Sequence, residues 1–142
     1  VTSTGFFDLQ NTSDKEKLHR MIAYVQKHKL DKPFPLRYSK KDNHKKLYTP
    51  VRFSAPSYMG ETIWSHWGME YIKALILLNH PKSLQKAKED LANYKKNIET
   101  YGGYPELYDK QGNIYKTTFY TGVLHNGWVI NYEQAKMMLS AT

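Results

Sequence analysis

The segment GGYPELYDKQG, from Gly102 to Gly112, sets one carboxylate, Glu106, among Tyr104, Tyr108, Pro105 and three glycines. A core has no use for an ionised side chain, and a solvated loop needs no aromatic frame. A carboxylate in such a setting can exchange a proton with a bound molecule, or it can cap the backbone amides of its own loop. Aromatic residues make up 14% of the chain, with 12 tyrosines and 3 tryptophans. Flat rings with polar edges suit cores, and they also suit clefts that stack on the apolar face of a sugar. Trp64, Trp128 and His125 belong with this set because each stands near the start of an expected helix. For the two tryptophans the alternatives are core packing and stacking. For His125 they are a structural hydrogen bond and one to a sugar hydroxyl.

Other chemistries find less support. Glu61 stands just ahead of an expected helix, where capping explains it, and Asp109 reads as a turn residue. His66, His80 and His125 have no metal-ligand spacing with each other or with acids, so neither a metal nor another cofactor is expected. The absence of cysteine removes thiol and disulfide chemistry and fits a cytoplasmic location. The net charge of +8 is spread over Lys15, Lys17 and Arg20, over Lys40, Lys41, Lys45 and Lys46, and over the stretch from Lys82 to Lys96. Basic charge scattered in this way reads as a solvated surface and not as a nucleic-acid site. The longest apolar run, Ala74 to Leu78, is too short to span a membrane.

Four helices must position these residues. The first is expected over 13–29, capped by Ser13, with Leu18, Met21, Ile22 and Val25 on one stripe. The second, over 63–79, carries Trp64, Trp67, Tyr71, Leu75 and Leu78 on one face and Ile72, Ile76 and Leu77 on much of the rest. A helix apolar nearly all round is a buried one, with Trp67 in the core. The third, over 83–100 and capped by Ser83, has the single stripe Leu84, Ala87, Leu91, Tyr94 and Ile98, so it lies outside; Gly102 and Gly103 end it. The fourth, over 128–140, holds Val129, Ile130, Tyr132, Ala135, Met138 and Leu139 and is expected to be mostly buried. Two long connections remain, 31–62 and 101–127. The first contains Phe34, Tyr38, Tyr48, Phe53 and Tyr58, which argue for order, and the second holds a small hairpin around Lys110–Asn113.

The order is therefore outer, inner, outer, inner. A short link makes the second and third helices antiparallel neighbours, so the two inner helices point the same way. Both long connections then lead into inner-helix N-termini at one end of an all-α bundle. That places Trp64, Trp128 and Glu106 on one rim.

Alternating inner and outer helices with long loops at one end are how an (α/α)6 toroid is built, and three segments agree with it. ETIWSHWGMEYIKALILL resembles the Gly-x-x-Trp…Ala-Leu inner helix of six-hairpin glycosidases, through Gly60, Trp64, Ala74 and Leu75 in approximate register. YPELYDKQGNIY resembles the late Tyr/Phe-x-Glu-x-Tyr segment of trehalases, mannosyl-oligosaccharide glucosidases and debranching-type glucosidases. HNGWVINYEQAKMML resembles their closing Trp-led helix.

The resemblance runs from about Gly5 onward and corresponds to the final third or so of a toroid. It implies that residues 1–142 form one domain, the C-terminal portion of an inverting glycoside hydrolase acting on glucosidic or related oligosaccharides. Glu106 is then the general base that activates water, with Trp64, Trp128, Tyr104, Tyr108 and His125 as sugar-binding residues. The paired general acid belongs to an earlier hairpin, and no segment here matches it. The chain opens on Val1 rather than methionine, which fits a processed or excised product. Its expected partners are an oligosaccharide and the remaining hairpins, or a second copy of itself. The alternative function is a non-catalytic helical module that binds carbohydrate or protein through its aromatic rim.

Overall fold

The structure, a computed structural model, describes residues 7–41 and 49–142. It is mostly helical: α1 (Thr12–Lys27), α2 (Thr49–Ser54), α3 (Ser65–Leu77), α4 (Pro81–Tyr101) and α5 (Val129–Ser140), with two short strands, β1 (Ile63–Trp64) and β2 (Leu107–Tyr108). The four long helices fall within two residues of the expected spans at each end, where periodicity is strongest. Their caps differ. Asn11, not Ser13, closes the start of α1, its side chain accepting from the Ser13 amide at 2.9 Å. His80, not Ser83, caps α4, and Pro81 takes the first helical position, where its missing N–H is no loss. Gly102 ends α4 in the left-handed region at φ +65°, which a side chain would disfavour.

The second long helix starts two residues late because Ile63 and Trp64 pair antiparallel with Tyr108 and Leu107. Arg37 bridges Ile63 on one side and Ile114 bridges Tyr108 on the other. The two long connections are thus hydrogen-bonded together at the N-terminus of α3. The expected hairpin is present, with the Asp109 amide donating to the Asn113 carbonyl at 2.8 Å.

α3 is the buried helix, with nine of its residues inaccessible, and α4 and α5 pack against it. The core gathers Ile63, Met69, Ile72, Leu75, Tyr94 and Tyr108. Gly68 lets the Tyr94 hydroxyl pass α3 and donate to the Pro35 carbonyl. A Cβ at Gly68 would collide with that hydroxyl and lie 2.5 Å from the carbonyl oxygen. A second cluster joins Ala55, Leu107 and Tyr115, with Tyr58, Trp64 and Tyr120 packed on it.

Two expectations about burial are corrected. α5 is not mostly buried: only Tyr132 and Ala135 are, while Ile130 is 64% and Met137 73% exposed. Its apolar residues occur on opposite sides, and only one side meets α3 and α4. Trp67 is not core but exposed, bordering an apolar recess of about 230 Å³ between α1 and α3. Among the described residues no helix is long and apolar enough to cross a membrane.

Candidate active site

The backbone around Glu106 is pinned from both sides. Its amide donates to the Val123 carbonyl at 2.8 Å, and its carbonyl accepts from the Ser65 amide at 3.1 Å. The preceding carbonyl, that of Pro105, accepts from Ser65 Oγ at 2.6 Å and from Trp128 Nε1 at 3.0 Å. The first residue of α3 and the residue ahead of α5 therefore hold the same turn. Because Pro105 has no N–H and a fixed φ, its carbonyl is the group left to hold there.

The Glu106 side chain, half-buried, is met by two tyrosine hydroxyls. Tyr120 donates to Oε2 at 2.5 Å, and Tyr58 donates to Oε1 at 3.4 Å. Burial first, and the Glu106 carboxylate with it, raise both phenols above their ordinary ionisation range, so each stays a protonated donor. His66, half-buried, is lowered by burial, against the opposing pull of Glu106 and Glu70. It is thus held toward its neutral form. Trp64 lies beside this group, its ring 4.8 Å from that of Tyr58 and 5.5 Å from that of His66. Its indole N–H is occupied by the Tyr58 carbonyl and the Thr62 hydroxyl, both at 3.1 Å, which leaves only ring surface for a ligand.

The remaining sequence candidates are placed differently. Tyr108 is fully buried and Trp128 is 2% exposed, so neither presents a ring to a ligand in this structure. Tyr108 faces inward onto Phe34 and Tyr94. Tyr104 is half-buried, packed edge-on against Trp128 at 5.4 Å. His125 is exposed and bridges Tyr104 through the backbone. Trp64 is the one candidate that shares a cluster with the Glu106 carboxylate.

Glu61 is not a helix cap. It pairs with Arg37 at 3.9 Å and with Lys110 at 3.4 Å, which ties the two connections together. Asp109 is the turn residue expected, accepting from the amides of Gln111 and Asn113 at 2.9 Å each. Lys45, Lys46 and Tyr48 lie outside the described residues. Among the described residues, no three His, Asp or Glu side chains cluster as metal ligands would.

Sequence reasoning missed Tyr58 and Tyr120 because they reach Glu106 from 48 and 14 residues away along irregular chain. The aromatic content of the first connection was the available signal for Tyr58; Tyr120 had none beyond its residue type. Comparison of the chain with family models, with curated proteins and with solved structures returns no match.

Proposed function

We propose that the chain is the C-terminal part of an inverting glycoside hydrolase built on an (α/α)6 toroid, with α3 and α5 as inner helices and Glu106 as general base. The observation that carries this reading is the Glu106 carboxylate, half-buried and hydrogen-bonded by Tyr58 and Tyr120, at the place where both long connections meet the start of α3. A base in water-activating hydrolysis must be held in one orientation, and two phenol hydroxyls can hold the carboxylate as hydrogen-bond donors. Trp64 offers a ring beside it for the apolar face of a sugar. The general acid comes from an earlier hairpin, about 6.5–9.5 Å from the base so that a water fits between base and sugar.

The exposed flanks support the same reading. Ile130 and Met137 on α5, and Met21 and Trp67 on α1 and α3, are the surfaces that neighbouring hairpins of a toroid would cover. The chain alone therefore binds oligosaccharide weakly and hydrolyses no glycoside.

In the longer enzyme that contains this sequence, Glu106→Gln lowers turnover by roughly 100-fold to 10,000-fold while oligosaccharide binding persists. Near-normal turnover in that variant removes Glu106 from catalysis. In that case, retained sugar binding would favour the non-catalytic module.

A further inference from the structure

The two tyrosine contacts to Glu106 are unequal. The Tyr120 contact, at 2.5 Å to Oε2, lies in the range of a strong bond from a hydroxyl to an ionised carboxylate, whereas the Tyr58 contact, at 3.4 Å to Oε1, lies at the limit of hydrogen bonding. Tyr58 is anchored through its backbone, its amide donating to the Ala55 carbonyl at 3.2 Å and its carbonyl accepting from Thr62 Oγ1 at 2.7 Å and Trp64 Nε1 at 3.1 Å. Tyr120 is anchored in the same way. Its amide donates to Thr117 Oγ1 at 2.9 Å and its carbonyl accepts from the Thr117 amide at 2.7 Å. The same Thr117 hydroxyl donates to the Ser54 carbonyl at the end of α2, at 2.6 Å. The Lys116–Thr121 bridge closes this tight turn. Tyr120 is thus presented to Glu106 by a small hairpin fastened to α2, and its hydroxyl lies closest to Glu106 Oε2 while also interacting with the Tyr58 hydroxyl.

We propose that Tyr120 is a positioning residue that fixes Glu106 through Oε2 and leaves Oε1, loosely held by Tyr58, as the oxygen that takes the proton of the attacking water. This rests on the reading of Glu106 as general base. In the step it serves, a water O–H bond breaks, its proton passes to Oε1 and its oxygen bonds the anomeric carbon. The glycosidic C–O bond breaks as the leaving oxygen takes a proton from the acid of the earlier hairpin. With both carboxylate oxygens free to rotate, neither would be held on the line from water to sugar. With Oε2 clamped, Oε1 is aimed, and the weak Tyr58 contact can yield to the water. Misplacement of a reacting atom by an ångström costs on the order of 100-fold in rate, which sets the scale of the effect.

The test has two arms. In the chain itself, carrying 13C-labelled tyrosine, the Tyr120 hydroxyl proton is slowly exchanging and shifted to low field, and Glu106→Gln moves it upfield. A Tyr120 hydroxyl in free exchange with water in the unmutated chain overturns the proposal whatever the chain catalyses. In the longer enzyme, Tyr120→Phe lowers kcat by about 10-fold to 100-fold with KM changed less than about twofold, and Tyr58→Phe lowers it less. In the Glu106→Gln background Tyr120→Phe costs nothing further, because its effect passes through the carboxylate. If Glu106→Gln is inactive while Tyr120→Phe is fully active, or if the two losses multiply, the positioning role falls and the general base stands. If Glu106→Gln is fully active, both fall.

Discussion

Tyr108 and Tyr120 belong to the same connection, yet one looks into the sealed side of the molecule and the other into its open side. On the sealed side Phe34, Tyr94, Tyr108 and Trp128 meet edge-on, at 4.9 Å for Phe34 and Tyr108 and 5.4 Å for Tyr94 and Trp128. Their polar atoms turn to backbone carbonyls or, for the Tyr108 hydroxyl, to no hydrogen-bond partner among the described residues. On the open side Tyr58, Trp64, Tyr115 and Tyr120 meet at similar spacings, but two of their hydroxyls point at a carboxylate. The same residue type builds an apolar core in one place and a polar cluster around a carboxylate in the other. What separates them is whether a charged group has been admitted, and β2 is the partition between them.

The sharpest way to break the sealed side is Gly68→Ala. The new methyl would meet the Tyr94 hydroxyl and the Pro35 carbonyl at once, and the second of these is backbone. Either α3 shifts or the buried hydrogen bond is lost, and overpacking of this kind costs about 3 kcal/mol. Urea denaturation would measure that loss. A variant as stable as the parent would mean that Tyr94 does not pass α3 at Gly68.

This contrast also marks how far the sequence could be read. The stripes of α1, α3 and α4 were legible because a 3.6-residue period survives in them, and the all-round apolar character of α3 announced its burial. α5 was misjudged because composition gives apolar content without saying how many neighbours a helix has. Glu106 stood out by its setting, but the frame assigned to it, Tyr104 and Tyr108, was chosen by adjacency in sequence. The actual frame, Tyr58 and Tyr120, comes from irregular segments with no period to project. Trp128 stands at the start of the last helix as expected, yet it is buried, its indole N–H going to Pro105 and its ring inward.

A second test separates buried charge from buried rings. Behind the sealed side, Lys86 Nζ lies 2.5 and 2.6 Å from the Asp90 carboxylate oxygens and 3.4 Å from Asp31 Oδ2, all three groups being largely buried. Tyr71 and Lys32 also act on this cluster electrostatically. Burial raises Asp90 to about 6, against the pull of Lys86 and with the added push of Asp31. An acid raised in the folded state binds its proton more tightly there than when unfolded. Its contribution to stability is therefore lost as pH climbs from its unfolded value near 3.8 through about 6. The loss from this group is on the order of 2 kcal/mol. Asp90→Asn, which leaves Lys86 to Asp31 alone, should flatten the pH dependence of stability between pH 4 and pH 7, at a cost in stability from the broken ion pair. Denaturation midpoints at the two pH values measure this, and an unchanged slope in the variant would show that Asp90 is not the titrating group.

The smallest effect is the most direct comparison of the two tyrosines. The Tyr108 hydroxyl is buried and, among the described residues, meets no hydrogen-bond partner at normal geometry, although Ser65 and Asn97 act on it. Removing a buried, unsatisfied polar atom relieves a desolvation cost of roughly 1 kcal/mol, and phenylalanine keeps the ring contacts with Phe34, Tyr94 and Tyr101. Tyr108→Phe is therefore expected to raise stability by about 1 kcal/mol and to leave ligand binding untouched. Tyr120→Phe does the reverse. It leaves the core intact and removes the strong donor to Glu106 Oε2, so its stability cost is small and its functional cost is large. If Tyr108→Phe instead destabilised the chain, the hydroxyl would have a partner in solution, most simply through a bound water. The sealed side would then be as polar as the open one, and β2 would no longer divide them.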